Sequence, residues 1–94
     1  TSDLFIIPLG DDQKSVALSL AAQLRSVGIR TEIAFGDRAL KGAMKAADKS
    51  GSRYVVIIGD DEVASGSVEL KRMSDGATRS VKIEELQSAL LEDL

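Results

Sequence analysis

Four basic residues recur at helical spacing in the middle of this 94-residue chain: Arg38, Lys41, Lys45 and Lys49. On one helix face they could contact the phosphates of a polyanion, which positions it without reading its sequence. The same stripe could be a solvated face, paired in part with Asp37 and Asp48 for about a few tenths of a kcal/mol each. A second cluster, Asp60-Asp61-Glu62, follows the apolar run Tyr54–Ile58. Carboxylates there could take Mg²⁺, accept from a base edge, or cap the amides of the next helical turn. Lys71 and Arg72 are adjacent in an expected strand, so they point to opposite faces and at most one serves a given site. Gly10 sits where a dinucleotide-binding glycine would. Only Asp11 and Asp12 follow, and two carboxylates repel a pyrophosphate, so Gly10 reads as a turn residue.

Composition removes much other chemistry. The chain has no Cys and no His. Disulfides, thiolate nucleophiles, the usual zinc ligands and every triad that needs His are therefore absent. No catalytic residue and no metal site is expected. Phe5, Phe35 and Tyr54 are the only aromatics, so the core must be aliphatic and an aromatic stacking platform is hard to build. The net charge of −3 argues against nucleic acid, but the charge is uneven. Residues 36–54 carry five basic and two acidic groups, net +3, and every other segment is net negative. A polyanion should meet residues 36–54.

These groups must be positioned by a small α/β domain. Leu4–Leu9 is a continuous apolar run that suits a buried strand ending near Pro8. Asp11 and Asp12 offer an N-cap, and Val16, Leu20, Leu24 and Val27 make an apolar stripe closed by Gly28. Thr31–Phe35 predicts a second strand, and Gly36-Asp37 a turn. Residues 38–50 predict a helix with Leu40, Ala43, Met44 and Ala47 on its buried face. Tyr54–Ile58 predicts a third strand, and 59–66 a turn or a single helical turn. Val68–Met73 and Thr78–Ile83 flank Ser74-Asp75-Gly76-Ala77, a hairpin signal. Glu84–Leu94 predicts a last helix with Leu86 and Leu90 one turn apart. The order β-α-β-α-β-β-β-α predicts a three-layer α/β fold, a mixed five-stranded sheet flanked by three helices.

The stretch Phe35-Gly-Asp-Arg-Ala-Leu-Lys-Gly-Ala-Met-Lys-Ala-Ala-Asp-Lys-Ser-Gly51 resembles the second-helix motif of the C-terminal domain of histidyl-tRNA synthetases, where Leu-Lys-x-x-x-Lys-x-Ala-Asp-Lys-x-Gly is typical. Gly59-Asp-Asp-Glu62, with Gly66 four residues on, is similar to that family's acidic turn after the third strand. Ser67-Val-Glu-Leu-Lys71 and Ser74-Asp-Gly76 resemble its final hairpin. Lys71-Arg72-Met73 departs from the common Lys-Asp-Leu. The likeness spans nearly the whole chain and is strongest over 35–76. Ala-Asp-Lys-x-Gly separates the histidyl type from the threonyl, prolyl and glycyl relatives.

The resemblance implies a class IIa anticodon-binding domain over residues 1–94, a C-terminal piece of a longer synthetase. Its partner would be the tRNA(His) anticodon stem-loop. Base contacts would come from Asp37, Glu62 and Lys71, and phosphate contacts from Arg38, Lys41 and Lys45. The fragment would catalyse nothing and hold no cofactor. ATP and Mg²⁺ would belong to a catalytic domain elsewhere in a homodimeric parent, and the fragment could be monomeric. The alternatives are a domain of this type reused for protein interaction or regulation, or the anticodon domain of a threonyl, prolyl or glycyl relative. No run approaches the roughly 20 apolar residues of a bilayer span, and Thr1-Ser2-Asp3 has no basic signal-peptide start. The expected location is the cytoplasm.

Overall fold

The computed structural model describes residues 2–34 and 40–93. The elements run β1 (Leu4–Pro8), α1 (Asp11–Ser26), β2 (Thr31–Ile33), α2 (Leu40–Ser50), β3 (Tyr54–Ile58), α3 (Asp60–Ser65), β4 (Ser67–Arg72), β5 (Thr78–Lys82), a 3₁₀ turn (Ile83–Glu85) and α4 (Leu86–Asp93). The sheet order is β2-β1-β3-β4-β5. The first three strands are parallel, and β4 and β5 are antiparallel.

Burial explains the order. β1 and β3 are apolar at every position and lie mid-sheet with both faces covered. This is what a parallel strand between two helical layers requires. β2 alternates, with Thr31 and Ile33 buried and Glu32 exposed, and takes one edge. β5 is almost wholly exposed and takes the other.

The two faces of the sheet are unequal. On one, α1 and α4 cover Leu4, Ile6, Val56, Ile58, Val68 and Leu70, with Leu24, Leu86 and Leu90 fully buried among them. On the other, α2 packs Ala43 and Ala47 against Phe5, Ile7 and Val55. Among the described residues, the buried members of that core come from α2, β1 and β3. The half of this face built by β4 and β5 carries Glu69, Lys71, Thr78 and Ser80 and stays open.

Several expectations need correction. Four helices form among the described residues, because Asp60–Ser65 closes a helix of its own where a turn was one of two expected forms. In α1 the buried residues are Gln13, Ala17, Leu20, Ala21 and Leu24. Val16 is only half-buried and Val27 is 40% exposed, because Val27 lies past the last turn, where Gly28 (φ 86) reverses the chain. The N-cap of α1 is Gly10. Asp11 and Asp12 occupy the first turn, where their charge favours the helix dipole. The last helix starts at Leu86 after a 3₁₀ turn, and the strands of the hairpin stop at Arg72 and Lys82. The hairpin turn itself forms as expected. Asp75 accepts from the Ala77 amide at 3.0 Å, and Gly76 supplies the positive φ of 74°. Phe35 and the Leu40 side chain lie outside the described residues.

Two polar contacts fasten the ends. Asp3, buried at the start of β1, accepts from the Arg30 amide at 2.9 Å and pairs with the Arg30 guanidinium at 3.2 Å. Burial pushes the Asp3 carboxyl up. The Arg30 hydrogen bonds and charge, with Arg53 beyond, outweigh it and hold Asp3 below the ordinary 3.8. Tyr54 donates its hydroxyl to Asp93 at 3.2 Å, tying α4 to the sheet. Burial and this bond raise the Tyr54 pKa above 10.0.

Candidate functional site

The open half-face forms a cleft of about 240 Å³ beside α2. Its apolar floor is Met44, Val55 and Ile57, and its polar rim is Glu62, Glu69, Lys71 and Thr78. The four rim residues arrive from three elements. Glu62 stands in the first turn of α3, just past the carboxyl end of β3. Glu69 and Lys71 alternate with buried Val68 and Leu70 along β4 and so share the outward face. Thr78 lies opposite Lys71 in the β4–β5 ladder.

Glu62 is half-buried, and its Oε1 accepts the Gly59 amide at 2.7 Å. This satisfies a backbone donor that the start of α3 would otherwise leave open. The second carboxylate oxygen has no partner among the described residues and remains an acceptor for the cleft. The half-buried Lys71 brings an ammonium to the same cleft with no ion-pair partner among the described residues. An anionic acceptor and a cationic donor on one apolar floor suit a planar group with both kinds of edge, such as an unstacked base.

The lysines of the basic stripe stand on α2, the helix that supplies Met44 to this cleft. Met44 lines the floor from α2. At 3.6 residues per turn, Lys41 and Lys45 lie about 60° and 100° round the helix from Met44, on the side away from the buried Ala43 and Ala47. Both lysines are exposed, as is Lys49. Arg72, by contrast, points through to the other face of the sheet, beside Tyr54 and Asp93, and pairs with Asp75 at 3.6 Å.

Of the sequence-derived residues, Glu62 and Lys71 line one cleft, and Lys41 and Lys45 are exposed on the helix that supplies Met44 to it. Asp37 and Arg38 lie outside the described residues. Glu69 and Thr78 belong to the rim and were not anticipated. Strand alternation could have found Glu69, two residues before Lys71. Thr78 needed the cross-strand register. No group of three or more potential metal-ligating side chains occurs among the described residues, and no helix among them is long and apolar enough to cross a membrane.

The family profile described as "Anticodon binding domain" matches residues 3–93. The chain belongs to the anticodon-binding domain family. As such a domain it is similar to the histidine–tRNA ligase of Nocardia farcinica, 45% identical over 98% of this chain and 22% of that protein. It is 42% identical to the histidine–tRNA ligase of Mycolicibacterium vanbaalenii over the same shares. The fold matches the apo histidyl-tRNA synthetase of S. aureus with a TM-score of 0.92 at 31% identity, covering 96% of this chain and 23% of that one. The histidyl-tRNA synthetase of Nostoc sp. PCC 7120 gives 0.90 at 29% identity, covering 98% and 22%. This anticodon-binding domain thus spans about a fifth of the length of the relatives it matches. The expected family and fold are therefore correct.

Proposed function

We propose that this domain binds the anticodon stem-loop of tRNA(His) and holds it for a histidine–tRNA ligase whose catalytic region lies outside these 94 residues. The observation that carries the reading is the cleft itself. Glu62 and Lys71 converge on one apolar floor, and Lys41 and Lys45 are exposed on the helix that supplies Met44 to it. Anticodon bases are loop bases with exposed edges, the kind of RNA that proteins read by sequence. Glu62 and Lys71 take base edges, with Asp37 as a third base contact. Arg38, Lys41 and Lys45 hold the backbone. ATP and Mg²⁺ serve the catalytic region, in a homodimeric enzyme of the cytoplasm.

Net charge −3 does not oppose this. Binding depends on the local field, and the lysines of α2 lie together on its exposed face. The test is a titration of the chain with the tRNA(His) anticodon stem-loop and with loops carrying substituted anticodons, at several salt concentrations. The expected result is salt-dependent binding that weakens on anticodon substitution. Equal binding to all loops, or none to any, rejects the reading.

A further inference from the structure

Gln13 is only 6% exposed, and its Nε2 donates to Asp60 Oδ1 at 2.6 Å across 47 residues of sequence. The bond joins the first turn of α1 to the first turn of α3, the helix that carries Glu62. It is charge-assisted, because the acceptor is a carboxylate.

The six-residue α3 buries none of its own side chains. Apolar packing therefore does not fix where it sits. Its far end is held by the Ile83 amide, which donates to Gly66 O at 2.8 Å. At its near end, the Gln13–Asp60 bond is the only side-chain hydrogen bond from α3 to a sequence-distant segment among the described residues. The Gln13 and Glu62 side chains lie close over the two glycines that precede these helices. A Cβ on Gly10 would collide with Gln13 Oε1, and one on Gly59 would stand 3.0 Å from Glu62 Oε1 and 3.4 Å from Leu9. By contrast, α1 is anchored by Ala17, Leu20, Ala21 and Leu24.

We propose that Gln13 is a positioning residue, which fixes Asp60 against α1 and thereby sets where the Glu62 carboxylate stands in the cleft. The inference rests on the proposed reading that Glu62 contacts RNA bases. It adds a residue from the opposite helical layer that touches no RNA. A small displacement of one acceptor alters discrimination between bases more than overall affinity, since the phosphate contacts lie on α2.

The test compares Gln13→Ala with the paired exchange Gln13→Glu and Asp60→Asn, which restores the hydrogen bond with donor and acceptor swapped. Two readouts are taken on the whole chain: hydrogen exchange of the Gly59 amide, and the ratio of Kd for an anticodon-substituted loop to that for the matching loop. Gln13→Ala should speed Gly59 exchange and lower the ratio roughly three- to tenfold, the scale of one hydrogen bond. The paired exchange should restore both. A folded Gln13→Ala chain with unchanged Gly59 protection and unchanged ratio overturns the proposal. If Gln13→Ala does not fold, the paired exchange decides: a folded chain that has lost discrimination overturns it, and one that keeps it supports it. Faster Gly59 exchange in Gln13→Ala, in a chain whose parent ignores the anticodon, keeps the tether and rejects the RNA reading instead.

Discussion

Glu62 holds the Gly59 amide at 2.7 Å through Oε1, so one carboxylate serves at once as a helix cap and as a wall of the cleft. The two tasks separate by substitution. Glu62→Gln keeps a capping amide oxygen and should cost little stability. Glu62→Ala loses the cap and should cost about 0.5–2 kcal/mol in urea denaturation. Both should weaken anticodon discrimination. Discrimination intact in Glu62→Gln would remove the carboxylate from base reading.

Lys71 and Arg72 give a matched pair on opposite sheet faces. Lys71→Ala should weaken stem-loop binding by about tenfold, the scale of one charged contact. Arg72→Ala should leave binding within about twofold, because its neighbours are Tyr54 and Asp93, away from the cleft. Equal losses in the two variants would place the RNA elsewhere.

Lys41 and Lys45 should act through phosphates. Each contact removed from single-stranded RNA should flatten the slope of log K against log salt by about 0.7. The double Ala variant should then lose about 1.4 of slope, while its preference among anticodons is retained. An unchanged slope would make this face a solvated one.

Asp3 makes stability depend on acid pH. Its carboxyl titrates below the ordinary 3.8 when folded, so the unfolded chain takes up the proton first as pH falls. The contribution is complete well above pH 3.8 and disappears as pH drops through the lower folded value. Asp3→Asn should destabilise the chain by about 1–3 kcal/mol at neutral pH, the cost of charged hydrogen bonds to Arg30. The difference from the parent should shrink in acid. A difference that stays constant from neutrality to pH 3 would contradict the assignment.

Leu90 is fully buried on the inner face of α4. Leu90→Ala should cost about 2–5 kcal/mol, a large part of the roughly 5–15 kcal/mol that holds a domain folded. Thermal denaturation with coincident spectroscopic probes would measure it. A loss under 1 kcal/mol would mean that α4 contributes little to the core.

The local patterns made most of the fold legible. Unbroken apolar runs marked Leu4–Pro8 and Tyr54–Ile58 as central strands, because only a strand covered on both sides can be apolar at every position. Asp75-Gly76 fixed the hairpin, since the turn needs a residue tolerant of positive φ. The missed features depend on surroundings. Gln13 is a polar residue in the first turn of a helix, and no local pattern marks it for burial; the approach of Asp60 does. Val27 belonged to the apolar period, yet the helix ends before it can bury.

The basic stripe, the acidic turn and Lys71 were determined by the sequence alone, because residue type and period 3.6 or 2 are local properties. Their convergence was not. Whether Glu62 and Lys71 share a cleft depends on β4 pairing antiparallel to β3, and on α2 covering β1 and β3 while leaving β4 and β5 bare. The small side chains of Ala43 and Ala47 pack α2 onto β1 and β3. The cleft is the space that this placement leaves over, which no single segment encodes.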